Sequence, residues 1–325
     1  MGMKAIVQHR YGGPEVLRLE DVDPPSPTDD QVLIRVRAAS VNPVDWHRMT
    51  GTPYLVRMSG GGVRVPKHSV LGSDVAGVVE RVGANVTEFR PGDRVYGMRQ
   101  GSFAEYVVVG PDKIAAIPDA VSFEQAAAAP VAALTALQAL RDSAGLQAGQ
   151  SVLVNGASGG VGTFAVQIAK ALGAEVTAVC RTHNVEMVRS LGADRVIDYT
   201  RDDFVRGGRS YDVILDVAGN RSLRERRRVL APQGALVVVG GPKKNRWLGP
   251  AGSVFLAIIA GRLSTQKIVG MLAKNNKDDL TFVAHLMETG KVTPVIERTY
   301  PLSQAPQAMR YLGEGHARGK LVLLV

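Results

Sequence analysis

An apolar strand runs straight into three glycines spaced by three, and then into a helix, in "VLVNGASGGVGTFAVQIAK". Gly156, Gly159 and Gly162 permit a tight strand-to-helix turn whose backbone can approach a diphosphate closely. The N–H groups opening the helix then face that charge. A glycine cluster alone says little. Here the strand before it, the helix after it and a further strand, "EVTAVC", supply the context of a dinucleotide-binding unit.

Such a unit needs a parallel sheet covered on both faces, and the chain supplies the parts in order. After "EVTAVC" come "NVEMVRSLG", "DRVIDY", "YDVILDVAG", an arginine-rich segment and "GALVVVGG". Buried strands alternating with helices predict a doubly wound α/β domain. "QKIVGMLA" fits a further edge strand, and "VFLAIIA" a helix. The alanine-rich stretch Ser122 to Asp142 predicts one helix, with Ser122 as N-cap and Glu124 and Gln125 in its first turn.

The first third has a different texture. "KAIVQHR" and "QVLIRVRAASV" alternate apolar and polar residues, and Gly/Pro turns separate "DVAGVVERVG", "RPGDRVYG" and "GSFAEYVVVG". Short, evenly spaced strands predict a compact β-barrel. "VTPVIERTYP", "QAPQAMRYL" and "GKLVLLV" match that texture again. The expected division is therefore 1–122 with 276–325 for the barrel, and 123–275 for the nucleotide-binding domain. A chain of 325 residues accommodates two such cores.

The turn after the second nucleotide-domain strand reads Cys180, Arg181, Thr182. A carboxylate that grips a ribose 2′-hydroxyl should stand there, about 20 residues past the glycines. None does, and Glu186 lies inside the next helix. Arg181 instead suits a 2′-phosphate, and Thr182 adds a hydroxyl donor. The expected cofactor is NADPH.

Composition excludes several alternatives. One cysteine rules out an intramolecular disulfide and a cysteine-cluster zinc site. The longest apolar run is far shorter than a membrane span, and the N-terminal residues resemble neither a signal nor a transit peptide, so the expectation is a cytoplasmic protein. A net charge of +9 is compatible with an anionic partner. The densest basic run lies at Asn220 to Pro232. On a helix, Arg224, Arg227 and Arg228 share a face, with Leu223 and Leu230 turned inward. No aromatic residues interleave there for base stacking, so a solvated face is preferred to a nucleic-acid patch.

"GGPEVL", "AASVNPVDWHRMTG", "LGSDVAGVVERVG", "PGDRVYG", "GSFAEYV", "NGASGGVGTFAVQIAK", "LGADRVIDY" and "GHARGKLVL" occur in that order. With them the sequence resembles the zinc-independent quinone oxidoreductase branch of the medium-chain dehydrogenase/reductases, over nearly its whole length. The resemblance implies a GroES-like barrel and a Rossmann domain with the active site in the cleft between them, and a homodimer joined through Rossmann sheet edges. Zinc-dependent relatives place a cysteine near Asn42 or Val44 and a His-Glu pair where this chain has Ser73 and Asp74. No metal is therefore expected. By the same resemblance Asn42 and Thr135 lie near the nicotinamide and its ribose, Ser158, Gly160 and Val161 lie on the pyrophosphate, Tyr199 joins Arg181 at the adenosine end, Ala218 and Gly240 flank the cofactor, and Lys320 closes over it. Relatives often carry an active-site tyrosine where Trp46 and His47 stand, and Tyr54 follows slightly later.

Without a metal, charge left on the acceptor oxygen must be met by hydrogen-bond donors, or the acceptor must already be electrophilic. Quinones and α,β-unsaturated carbonyls satisfy that condition. Candidate groups at the acceptor are Asn42, Tyr54 and His47, with Asp45 better suited to capping a helix. Alternatives are a reductase of reactive aldehydes or ketones, and a nucleotide-sensing or RNA-binding scaffold that keeps the fold.

Overall fold

The computed structural model describes every residue except 1, 59–61, 68, 241–251, 253–256, 258, 260–265 and 316. Its contacts divide the chain into two units, Met1–Val131 with Asn275–Gly290 and Pro294–Val325, and Ala132–Lys274 with Lys291–Thr293.

The first unit is built on a sheet with the order β14-β15-β3-β4-β5-β7, with β6 also paired to β3. Its strands are β3 (Val32–Val41), β4 (Asp74–Val82), β5 (Arg94–Met98), β6 (Tyr106–Val109), β7 (Ile114–Ala116), β14 (Ile296–Pro301) and β15 (Lys320–Leu324). All pairings are antiparallel except β14 with β15. Period-two patterning explains the barrel interior: Val32, Ile34 and Val36 of β3 turn inward against Val75, Val79 and Val95. A hairpin of β1 (Met3–Val7) and β2 (Arg18–Val22) stands apart from this sheet. Tyr96, fully buried, donates its hydroxyl to Leu280 O at 2.6 Å and ties the helix Lys277–Glu288 to the unit.

The second unit carries a wholly parallel sheet in the order β10-β9-β8-β11-β12-β13. These strands are β8 (Ser151–Asn155), β9 (Glu175–Cys180), β10 (Arg195–Asp198), β11 (Tyr211–Asp216), β12 (Leu230–Val238) and β13 (Lys267–Gly270). The order is that of a doubly wound domain, and it reverses direction between β8 and β11, where such sheets open a crevice at their carboxyl ends. Helix α4 (Gly160–Ala171) joins β8 to β9, and α5 (Val185–Ser190) follows β9. The segment 199–210 joins β10 to β11 with no helix at all.

The expected helix from Ser122 to Asp142 is divided. Ser122 caps α2 (Phe123–Ala128) as predicted, accepting from Gln125 N–H at 3.2 Å, but Pro130 cannot donate its missing N–H, and a second helix, α3 (Pro130–Leu137), begins there. The α2 helix packs on β3, β4 and β15 of the first unit. Edge strand β13 stands where "QKIVGMLA" predicts it. "VFLAIIA", residues 254–260, lies outside the described residues, save Ala257 and Ile259. Among the described residues no helix is long and apolar enough to cross a membrane.

Candidate functional site

In the first unit β3 ends at Val41 and the chain enters α1 (Pro43–Thr50) through Asn42, its N-cap. Asn42 N–H bonds Asp45 Oδ2 at 2.9 Å, so Asp45 does cap the helix. The Asn42 side chain is fully engaged. Its amide nitrogen donates to Ser40 O at 3.2 Å and to Asp74 Oδ2 at 2.8 Å, while its Oδ1 accepts from Lys320 Nζ at 2.5 Å. Both amide N–H groups are thereby spent, and Asn42 has none to offer an acceptor oxygen.

Asp74 is the centre of this cluster. It also accepts the Ser40 hydroxyl at 2.6 Å and the Val131 N–H at 2.9 Å, and it lies 3.4 Å from Lys320 Nζ. Next to it Ser73 donates to Asp45 Oδ1 at 2.6 Å and accepts from Arg48 at 2.8 Å. Burial pushes the Asp45 carboxyl up to about 6, ahead of the opposing hydroxyl bond from Ser73. Burial likewise draws the Lys320 ammonium down from its ordinary value, against the attraction of Asp74 and Asp45. Lys320, expected over the cofactor, is only 3% exposed and its ammonium is held here. Among the described residues no thiol or imidazole bonds into the cluster, and no group of three or more His, Cys, Asp and Glu side chains is placed to hold a metal ion.

His47 and Tyr54 sit beyond this cluster. His47 Nδ1 lies 2.7 Å from Thr52 O, and since a carbonyl only accepts, Nδ1 carries the proton. The half-buried Tyr54 ring stacks under the Arg57 guanidinium at 5.0 Å.

In the second unit the glycine turn follows β8 at the point where the sheet order reverses. Gly156 holds φ +93°, a left-handed conformation, and a Cβ there would meet Ala218 at 3.3 Å. A Cβ on Gly162 would come within 2.1 Å of Gly156 O, so this position must be glycine for the helix to reach the strand. Gly159 differs: a Cβ there would find only Gly156 O, at 3.7 Å, and so would point into open space above the turn. The first-turn N–H groups of Gly160 and Val161 have no carbonyl within the helix to bond. Ser158 lies half-buried in the same turn. Open space above glycine backbone, facing a helix N-terminus, fits the diphosphate of a dinucleotide.

Sequence reading missed what fixes this turn. Asn155 donates across the reversal point to Asp216 Oδ1 at 2.6 Å, and to Asn220 Oδ1 at 2.8 Å. Asp216 also accepts Gly219 N–H at 3.1 Å and pairs with Arg226, both side chains being buried. Val217 and Ala218 N–H groups return to Asn155 O, and a Cβ on Gly240 would strike Val217 O. Gly156, Ala218 and Gly240 thus converge on one side of the crevice. A carboxylate closing the otherwise apolar strand "VILD" was the available signal.

The adenosine-end residues also converge. Pairing of Asp198 with Cys180 sets the segments after β10 and β9 side by side. Thr182 and Thr200 hydroxyls lie 2.9 Å apart, placing exposed Arg181 and Tyr199 at one corner. The carboxylate at this corner, Asp198, bonds the Thr200 hydroxyl at 2.8 Å, and threonine hydroxyls hold its carboxyl below the ordinary range. Burial pushes the Cys180 thiol up to about 11, which keeps it protonated. Thr135 stands half-buried on α3.

The basic run differs from its expected helix. Only Leu223–Arg228 is helical (α6), and Leu230 opens β12. Arg226 turns inward to Asp216, Arg221 pairs with Asp203 at 3.2 Å and Arg227 donates to Gln266 at 2.9 Å.

Residues 28–119 match the alcohol dehydrogenase GroES-like domain, and residues 191–323 the zinc-binding dehydrogenase family. The mitochondrial NAD(P)H oxidoreductase RTN4IP1 of Mus musculus is 35% identical over 369 residues, covering 99% of this chain and 89% of the mouse protein. The chain belongs to the quinone oxidoreductase family of medium-chain dehydrogenase/reductases. A 2-methylene-furan-3-one reductase of Solanum lycopersicum is 36% identical, covering 99% of this chain and 79% of the tomato protein. A quinone oxidoreductase structure from Coxiella burnetii superposes with a TM-score of 0.88 at 33% identity, covering 100% of both chains. In this family the two units are a GroES-like barrel domain and a Rossmann domain, and the chain is an oxidoreductase.

Proposed function

We propose that this chain is an NADPH-dependent, zinc-independent reductase of quinones or α,β-unsaturated carbonyls. The observation that carries the cofactor choice is the corner at the end of β9. Arg181 stands where a ribose-binding carboxylate would, Thr182 and Tyr199 flank it, and Asp198 is turned to Thr200. An arginine there favours a 2′-phosphate through charge-assisted hydrogen bonds.

When bound, the nicotinamide supplies the hydride. The glycine turn and the N–H groups of Gly160 and Val161 hold the diphosphate, and Gly156, Ala218 and Gly240 leave the backbone room to do so. The barrel unit contributes no Lewis acid, because an ammonium occupies the Asn42–Asp74 cluster. The acceptor must therefore delocalise charge itself, as quinones and enones do. A quinone needs one further proton after hydride addition. With both Asn42 N–H groups spent, that proton falls to Tyr54, His47 or water. The names of the tomato reductase and the Coxiella quinone oxidoreductase support the two acceptor classes. The open edge of the nucleotide sheet supports a homodimer: among the described residues no strand pairs the outer side of β13.

Steady-state oxidation of NADPH and NADH against quinones, enones and simple aldehydes tests the reading. NADPH-selective turnover of quinones or enones is expected. Turnover of aldehydes alone, or selectivity for NADH, would overturn it.

A further inference from the structure

Between Asp45 and Asp74 the chain contains no acidic residue, while Arg48, Arg57, Arg64 and Lys67 fall in that interval. The same interval holds four exposed apolar side chains of the barrel unit: Leu55 at 42%, Met58 at 72%, Val63 at 70% and Val65 at 61% exposure. Apolar side chains of this size, clustered in sequence and uncovered, mark an interaction surface rather than ordinary exposure. Leu55 and Met58 are three residues apart in one helical turn and so share a face.

This surface is held in place from below. The Arg57 guanidinium lies between two rings, 4.3 Å from the Tyr11 centroid and 5.0 Å from that of Tyr54, and bonds Gly51 O at 2.9 Å. Tyr11 donates its hydroxyl to Gly62 O at 2.6 Å. Both flanks of the patch are therefore tied to the barrel through side chains that point inward. Arg64 and Lys67 are exposed and make no ion pair with a described residue.

We propose that this patch docks the protein on an anionic lipid bilayer. Exposed apolar side chains interleaved with cations, in an interval of sequence without a carboxylate, are the composition of an interfacial binding element. An aqueous protein partner would call for fewer unneutralised charges beside the apolar atoms, since charged residues are depleted at the core of such interfaces. Leu55, Met58, Val63 and Val65 enter the headgroup region, and Arg64 and Lys67 meet lipid phosphates. The docking is peripheral and needs no spanning helix.

Co-sedimentation of the full chain with vesicles of phosphatidylcholine, alone or doped with phosphatidylglycerol, tests this. Partition onto the doped vesicles, weakened by added salt, is expected. Arg64→Glu with Lys67→Glu should lower it tenfold or more, and Met58→Ser with Val63→Ser should lower it several-fold even at low salt. These side chains are exposed, so the variants keep their fold, which circular dichroism checks. Three results would overturn the proposal: no partition onto either vesicle, partition that both variants leave intact, or self-association abolished by Met58→Ser and Val63→Ser without vesicle binding.

Discussion

Lys320 Nζ lies 2.5 Å from Asn42 Oδ1, although 278 positions separate the two residues in sequence. The contact joins the last barrel strand to the N-cap of α1 and gives buried Asp74 its cation. Lys320→Met removes one member of a buried charge cluster and leaves Asp74 without an ammonium. A loss of about 3 kcal/mol or more is expected in urea denaturation. Adding Asp74→Asn should restore part of that loss, because the orphaned charge goes with it.

Gly162 and Gly159 separate packing from ligand binding. Gly162→Ala drives a methyl into Gly156 O and should cost about 2 kcal/mol or more in thermal unfolding. Gly159→Ala meets nothing closer than 3.7 Å and should alter stability by less than about 1 kcal/mol. Its methyl would nevertheless fill the space for a diphosphate. Calorimetric titration should show NADPH affinity falling tenfold or more in this stable variant.

Arg181→Asp tests the cofactor corner. Loss of a charge-assisted pair to phosphate should weaken NADPH binding more than tenfold, about 1.4 kcal/mol or more. NADH binding should hold or improve, since an aspartate can accept from a ribose hydroxyl. Equal losses for both cofactors would make Arg181 structural.

Asp45 predicts a pH dependence of stability. Its carboxyl is raised to about 6 in the folded chain from an ordinary value of 3.8, so folding favours the protonated form. Its contribution is full below pH 3.8 and is lost as the pH rises through 6, by about 3 kcal/mol in all. Asp45→Asn should flatten that segment of the profile. Urea midpoints of wild type and variant, compared near pH 4 and near pH 7, check the sign.

Local pattern made the fold legible. The glycine spacing, the alternation of β3 and the Ser122 cap all act within a few residues, and each appears where sequence predicts it. The long helix at Ser122 failed through Pro130, a local signal outweighed by the alanine-rich composition around it. Only Leu223 and Leu230 of the basic run were expected to turn inward, and Arg226 was missed because its partner, Asp216, belongs to a different element. The Asn42 cluster was hidden for the same reason: Asp74 and Lys320 meet Asn42 only once three separate segments have packed. Family resemblance, not residue type, put Asn42 among the expected site residues, and only geometry shows that its N–H groups are spent.

The order in which these segments are joined sets an order of synthesis. Strands β1 to β7 leave the ribosome first, yet β3 lacks its neighbour β15 until the nucleotide-binding sheet has been made. That sheet, drawn almost wholly from a continuous stretch, can assemble while the barrel is still open on one side. Asp74 meanwhile waits without its ammonium, since Lys320 arrives with β15. The half of the protein that is translated first is thus the half that closes last.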